Sequence, residues 1–208
     1  MSVKPWSMSG GNGRFGQIGS ACRAPRFWRR FRKILPAAHH RRVFDRFAPG
    51  LDVDAAIRDR EATGQGYVIE ARDFYPDALS CLAALRSQGL VVGIAGNQPE
   101  ATESALLACG VTADFIASSA RWGIEKPSPC FFERIVAVTG LAPAAIAYVG
   151  DRLDNDILPA RTAGMAAILL DLGPWAMAHA IDPDRARATA TVAHLAALPG
   201  LIARLNQT

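Results

Sequence analysis

Two acids and a lysine are the residues of this chain best placed to do chemistry. Asp151 and Asp156 lie five positions apart, directly after the apolar run Ile146 to Val149 and Gly150, and Lys126-Pro127 precedes them on a separate segment. An apolar run that stops at a glycine and is followed at once by carboxylates predicts a buried parallel strand ending at a crevice, where open α/β sheets bind ligands. Spacing of this kind across a strand-to-helix turn lets one acid face the crevice while the other braces it. Hard carboxylate oxygens suit Mg²⁺. Together the three side chains read as half of a phosphate site. Its natural complement, a nucleophilic carboxylate at the end of an earlier strand, has no obvious candidate. Any one of these acids taken alone is more often a helix cap than a ligand; their order along the chain is what carries the reading.

The elements that would position them follow from periodicity and turn residues. From Pro76 onward the pattern predicts helix 76–88, strand 90–95, helix 99–109, strand 114–118, helix 128–139, strand 146–149, helix 155–163 and strand 166–170. A loop around Pro174, a short strand at 190–192 and a closing helix near 199–206 follow. Gly89, Gly110, Gly140 and Gly164 each fall between a helix and a strand, where a left-handed residue lets the chain reverse. Alternation at this pitch predicts βαβ crossovers and a parallel sheet covered on both faces. Upstream, Phe27, Phe31 and Leu35 recur at helical spacing, and a second helix is expected from Asp52 to about Thr63, ended by Gly64.

The 208 residues suffice for one main core and an appendage. Half of them are hydrophobic and a fifth charged, the balance of an ordinary globular chain. No apolar run has the length of a membrane span and no signal peptide is legible, so a cytoplasmic location is expected. Cys22, Cys81, Cys109 and Cys130 are scattered without a C-x-x-C pair and read as reduced core thiols. The net charge of +4 combines residues 1–46, with eleven basic residues and one acid (+10), and a remainder with twelve and eighteen (−6). The basic arm with Phe27, Trp28 and Phe31 would suit nucleic acid, but a helix with a buried aromatic face and solvated arginines explains it more simply, so no nucleic-acid partner is expected. His39-His40 has no third ligand at suitable spacing and reads as a solvated pair. Trp122 and Trp175 could line the crevice, but packing is the simpler reading.

Leu90 to Ala95 ends in Gly96-Asn97; Trp122 to Pro129, containing Lys126-Pro127, follows; then come Gly150-Asp151 with Asp156 and Ala163-Gly164-Met165. In that order and at those distances, over roughly Phe74 to Ala203, the chain resembles the haloacid dehalogenase superfamily of hydrolases. The resemblance implies a doubly wound, Rossmann-like α/β core with a partial helical cap on its N-terminal side, and Mg²⁺-dependent hydrolysis of a small phosphate ester through an aspartyl phosphate. It places Lys126 against the phosphate as a catalytic residue, Gly96 and Asn97 as phosphate-binding donors, and Asp151 on the metal. Asp156 either joins the metal or orients Lys126. The domain division it suggests is 1–22 a Gly-rich basic leader, 23–72 the partial cap and 73–208 the core.

Two departures from the family pattern matter. Gly96 stands where a hydroxyl is usual, and removing one such donor from a preorganised site costs about 2.7 to 4 kcal/mol of transition-state stabilisation. No D-x-D-G-T occurs upstream of Gly96. Asp52-Val53-Asp54 is the only D-x-D upstream of Gly96 and reads as a helix start, and Val43-Phe44-Asp45 has Phe47 where the acid/base residue belongs. In the family the strand bearing that motif lies between the strands ending here at Gly96 and Gly150. Its loss is expected to make those neighbours close up, to draw in residues 14–21, or to mark a truncated or frame-shifted product. The alternative function is then an inactive binding module. An exposed sheet edge would favour a homodimer.

Overall fold

The structure, a computed structural model, describes residues 48–64 and 68–207. The expected leader at 1–22, the helix around Phe27 to Leu35, His39-His40, Cys22 and Asp45 lie outside the described residues. Among those described, the chain divides into two units between Val68 and Ile69.

The first unit contains helix α1 (Val53–Ala62). Asp52 starts it: its Oδ1 accepts a hydrogen bond from the Ala55 N–H at 2.9 Å, so this aspartate is a cap, as its helix-start sequence predicts. Gly64, at φ 70°, follows the end of the helix.

The second unit alternates helix and strand: α2 (Ala78–Ser87), β1 (Gly93–Gly96), α3 (Ala101–Ala108), β2 (Phe115–Ser118), α4 (Ser119–Trp122), α5 (Pro129–Thr139), β3 (Ala147–Gly150), α6 (Leu158–Thr162), β4 (Ala166–Leu170), α7 (Pro174–His179), β5 (Ala190–Val192) and α8 (Leu198–Leu205). Every strand pair is parallel. Side chains alternate across β4: Ala167 and Leu169 join the cluster under α5, with Phe131, Phe132 and Ile135, while Ile168 and Leu170 join the cluster under α2 and α8, with Cys81, Leu198 and Ile202. Both faces of the strand are therefore covered, the doubly wound α/β arrangement. Helix α5 forms because Phe131, Phe132 and Ile135 recur on one face, Pro129 opens it and Gly140 closes it in a left-handed conformation. Phe131 and Phe132 are fully buried, each contributing about 1.5 to 3 kcal/mol of transfer free energy.

Several expectations need correction. Among the described residues the parallel strands pair as β1-β2 and β3-β4-β5, and β1 and β3 are not partners, so these neighbours have not closed up on each other. Strand β1 starts three residues later than periodicity suggests; the Phe115 ring lies where a Cβ on Gly93 would stand. Beyond Gly173 (φ 78°) the chain is helical, not looped, because a proline at the first helical position has no N–H to lose. The turn after Asp151 begins with a π-helical segment, Leu153–Ile157, before α6. Cys81 is buried, but Cys130 is an exposed thiol. Among the described residues no helix is long and apolar enough to cross a membrane.

Candidate active site

The site is assembled from three strand-end segments. Strand β3 ends at Gly150, and Asp151 and Asp156 follow, 5% and 2% exposed. The π segment carries Asp156 back over the strand end. Its Oδ2 accepts the Arg152 N–H at 3.1 Å, and its Oδ1 accepts Lys126 Nζ at 2.6 Å and the Tyr148 hydroxyl at 3.4 Å. Tyr148 stands two positions before Gly150, so its side chain and the bare face of that glycine point to the same side.

Lys126 lies on the loop between α4 and α5, preceding a cis peptide bond to Pro127. Asn97, just beyond β1, grips it by the backbone: the Lys126 N–H donates to Asn97 Oδ1 at 2.7 Å and Asn97 Nδ2 donates to the Lys126 carbonyl at 2.8 Å. The ammonium then runs inward, 5.8 Å from the ring centres of both Phe131 and Tyr148, to meet Asp156. Burial alone would lower its pKa, but the Asp156 carboxylate and Tyr148 outweigh that and hold it above the ordinary lysine value. Desolvation and Asp156 push the Tyr148 hydroxyl up against the opposing pull of Lys126. A buried ion pair tolerates its desolvation only when the remaining hydrogen-bonding capacity is filled, and among the described residues no buried side-chain nitrogen or oxygen lacks a partner.

Asp151 differs from Asp156. It makes no hydrogen bond to another described side chain, and burial, followed by the like charge of Asp156, lifts its pKa to about 7 against the opposing pull of Lys126 and Arg152. It also raises the buried Tyr75 hydroxyl, already lifted by desolvation, to about 12. Lys126, Asp151 and Asp156 thus act electrostatically on one another at one rim.

Lys126, Asp151 and Asp156 meet there; Asn97 reaches them through the Lys126 backbone, and Gly96 ends β1 just before it. The Asn97 side chain binds the lysine loop rather than projecting as a free donor. Sequence reasoning did not single out Tyr148 or Arg152, and for Trp175 preferred packing over a place lining the crevice. Tyr148 was legible in principle, as the residue two before the strand's terminal glycine. The Arg152 guanidinium lies 4.4 Å from the Trp175 ring centre, and Trp175 stacks on His179. Trp122 packs on Phe131.

As a metal site the donor set is sparse. Among the described residues no three His, Cys, Asp or Glu side chains cluster, and both Asp156 oxygens are engaged. Asp151 remains, which suits Mg²⁺, an ion that is held by one or two carboxylates and otherwise by water and substrate oxygens.

A family model described as haloacid dehalogenase-like hydrolase matches residues 17–164. The phosphoserine phosphatase of Thermus thermophilus is 34% identical over 102 residues, 48% of this chain and 41% of that protein. The glyceraldehyde 3-phosphate phosphatase of Methanopyrus kandleri is 33% identical over 104 residues, 49% of this chain and 45% of that protein. The matched regions span less than half the length of these relatives. Among solved structures, a phosphatase from Thermococcus onnurineus superposes with a TM-score of 0.55 at 21% identity, covering 76% of this chain and 68% of that one, a likeness of fold. With the model matched over most of its length, this chain belongs to the haloacid dehalogenase-like hydrolase family.

Proposed function

We propose that the rim binds the phosphate of a small phosphate ester and that the protein is a phosphohydrolase of this family. The observation that carries this is the buried Lys126–Asp156 pair beside the raised carboxylate of Asp151 at the end of β3. The phosphatases among its relatives support the reaction class. Lys126 offsets the phosphate charge. Asp156 aims the ammonium from behind, and Asp151 is the carboxylate toward a divalent cation. Bound Mg²⁺ would supply charge neutralisation at the phosphate oxygens. Asn97 fixes the lysine loop and Gly96 offers its backbone N–H. Residues 23–72 are read as part of a helical cap, supported by α1.

Turnover needs a nucleophile, and the chain has no D-x-D-G-T upstream of Gly96. This favours a second reading, an anion-binding module that forms no phosphoenzyme. Calorimetric titration of phosphate with Mg²⁺, paired with hydrolysis of p-nitrophenyl phosphate, decides between them. Binding with turnover supports the phosphatase, binding without turnover the module. Binding that survives both Lys126→Ala and Asp151→Asn overturns the site.

A further inference from the structure

Arg152 follows Asp151 directly, and its side chain is held from two directions. The guanidinium carbon lies 4.4 Å from the Trp175 ring centre, and the Trp175 ring is in turn stacked on the His179 imidazole, 5.6 Å between centres and 17° from parallel. Trp175 is buried and His179 half-buried, so the platform beneath the guanidinium is anchored in the body of the unit. The edge of the fork is occupied by Asp154: Nε donates to Oδ1 at 3.0 Å and Nη2 donates to Oδ2 at 2.5 Å.

The two partners are unequal. The Arg152 side chain is 15% exposed and that of Asp154 54%. A guanidinium held 4.4 Å over an indole is restricted in position, and its fork matches a planar carboxylate. Asp154 stands largely in water and is hydrated on leaving the fork, so an incoming carboxylate exchanges one two-pronged pair for another. Arg152 is the chain neighbour of Asp151 and its backbone N–H donates to Asp156 Oδ2 at 3.1 Å, so the residue that bears the fork is fixed beside the rim that Lys126 and Asp151 form.

We propose that Arg152 is a receptor for a carboxylate on the organic half of the phosphate ester, with Asp154 filling the fork until that ligand arrives and Trp175 holding the guanidinium in plane. This rests on the reading of Lys126 and Asp151 as a phosphate rim and names its substrate class: short phosphate esters that end in a carboxylate.

The test compares methylphosphonate with phosphonoacetate, which share a phosphonate and differ by the carboxylate, titrated calorimetrically into the full chain with Mg²⁺. Phosphonoacetate is expected to bind about tenfold tighter or more, the contribution of one charge-assisted pair. Arg152→Gln brings the ratio of the two affinities to about one, and Asp154→Ala, which removes the competing carboxylate, raises it. Tryptophan fluorescence changes with phosphonoacetate more than with methylphosphonate, and Trp175→Phe removes that difference. Equal affinities in the unaltered chain overturn the proposal while leaving the phosphate rim intact. A lower ratio in Asp154→Ala also overturns it, since Asp154 would then be a structural clamp rather than a placeholder. Binding of neither ligand overturns the phosphate rim and this proposal with it. Should Arg152→Gln not fold, the unaltered chain and Asp154→Ala decide between these outcomes.

Discussion

A Cβ on Gly150 would lie 2.4 Å from the Cβ of Asp156 and 2.7 Å from its Oδ2, so the acid that aims Lys126 stands in the space the glycine leaves open. Gly150→Ala must displace the carboxylate or the strand end, and overpacking of this kind costs about 1 to 3 kcal/mol. Gly200, inside α8, has only Arg204 Nη1 at 3.7 Å from a built Cβ. Gly200→Ala should therefore gain about 0.5 to 1 kcal/mol from helix propensity. Thermal unfolding of the two variants is expected to shift in opposite directions, and phosphate binding to weaken only in the first.

Lys126 and Asp156 should show strong coupling. Lys126→Met leaves Asp156 buried without its cation, and breaking such a pair from one side costs about 3 to 5 kcal/mol. Lys126→Met with Asp156→Leu removes both charges and should cost less than Lys126→Met alone. The raised lysine pKa places the pair's stabilisation fully below the unfolded-lysine value, with loss only as pH climbs through the folded one, so once Asp151 is ionised this coupling should be constant from about pH 8 to 9. A double-mutant cycle by denaturant unfolding measures it, and additive single costs would contradict the pair.

Strand and helix order were legible because apolar runs and glycines mark them; β4 at Ala166–Leu170 and β5 at Ala190–Val192 fall where the pattern put them. Less legible was what depends on contacts across the chain. Helical periodicity cannot reveal the π segment that returns Asp156 over Gly150, and Pro174 reads as a breaker unless its place at the start of α7 is known. The motif residues were found, but their division of labour was not. Whether Asp156 held metal or lysine, and whether Asn97 faced a ligand or a loop, are questions of side-chain partners 29 and 30 positions away.

Asp151 should make the protein pH-sensitive in metal-free buffer. An aspartate has a pKa of about 3.9 in the unfolded chain. Here burial, followed by Asp156, raises it to about 7. The folded state therefore holds this proton more tightly than the unfolded one. Its contribution is neutral below about pH 4, becomes destabilising as pH rises toward 7 and is constant above that. Asp151→Asn should raise the unfolding temperature at about pH 8 and leave it unchanged near pH 4. Mg²⁺ added at the higher pH should stabilise the unaltered chain and not the variant. A variant less stable at the higher pH would show that Asp151 is satisfied in the fold.

Asn97 should act through the lysine loop. Asn97→Ala removes both hydrogen bonds to the Lys126 backbone, at about 0.5 to 1.5 kcal/mol each. Asn97→Asp keeps the acceptor for the Lys126 N–H and loses the donor to its carbonyl. Phosphate affinity is expected to fall in both, further in Asn97→Ala, and the reactivity of Lys126 toward amine-modifying reagents to rise as the ammonium loosens. Unchanged lysine reactivity in Asn97→Ala would separate Asn97 from the loop.

Gly96 is the position where a side chain is missing without steric reason. Its nearest neighbour to a built Cβ is Gln98 Cγ at 3.5 Å, an ordinary contact, and its backbone is not left-handed. Gly96→Ser should therefore fold as the unaltered chain does and add a hydroxyl at the end of β1. If this strand end faces the phosphate, the new donor contributes about 1 kcal/mol, roughly fivefold in affinity. Turnover should rise only if a nucleophile is present, so the same variant reads both the site and the missing chemistry. Tighter binding with no hydrolysis places Gly96 at the anion and leaves the module reading standing, and unchanged binding removes Gly96 from the site.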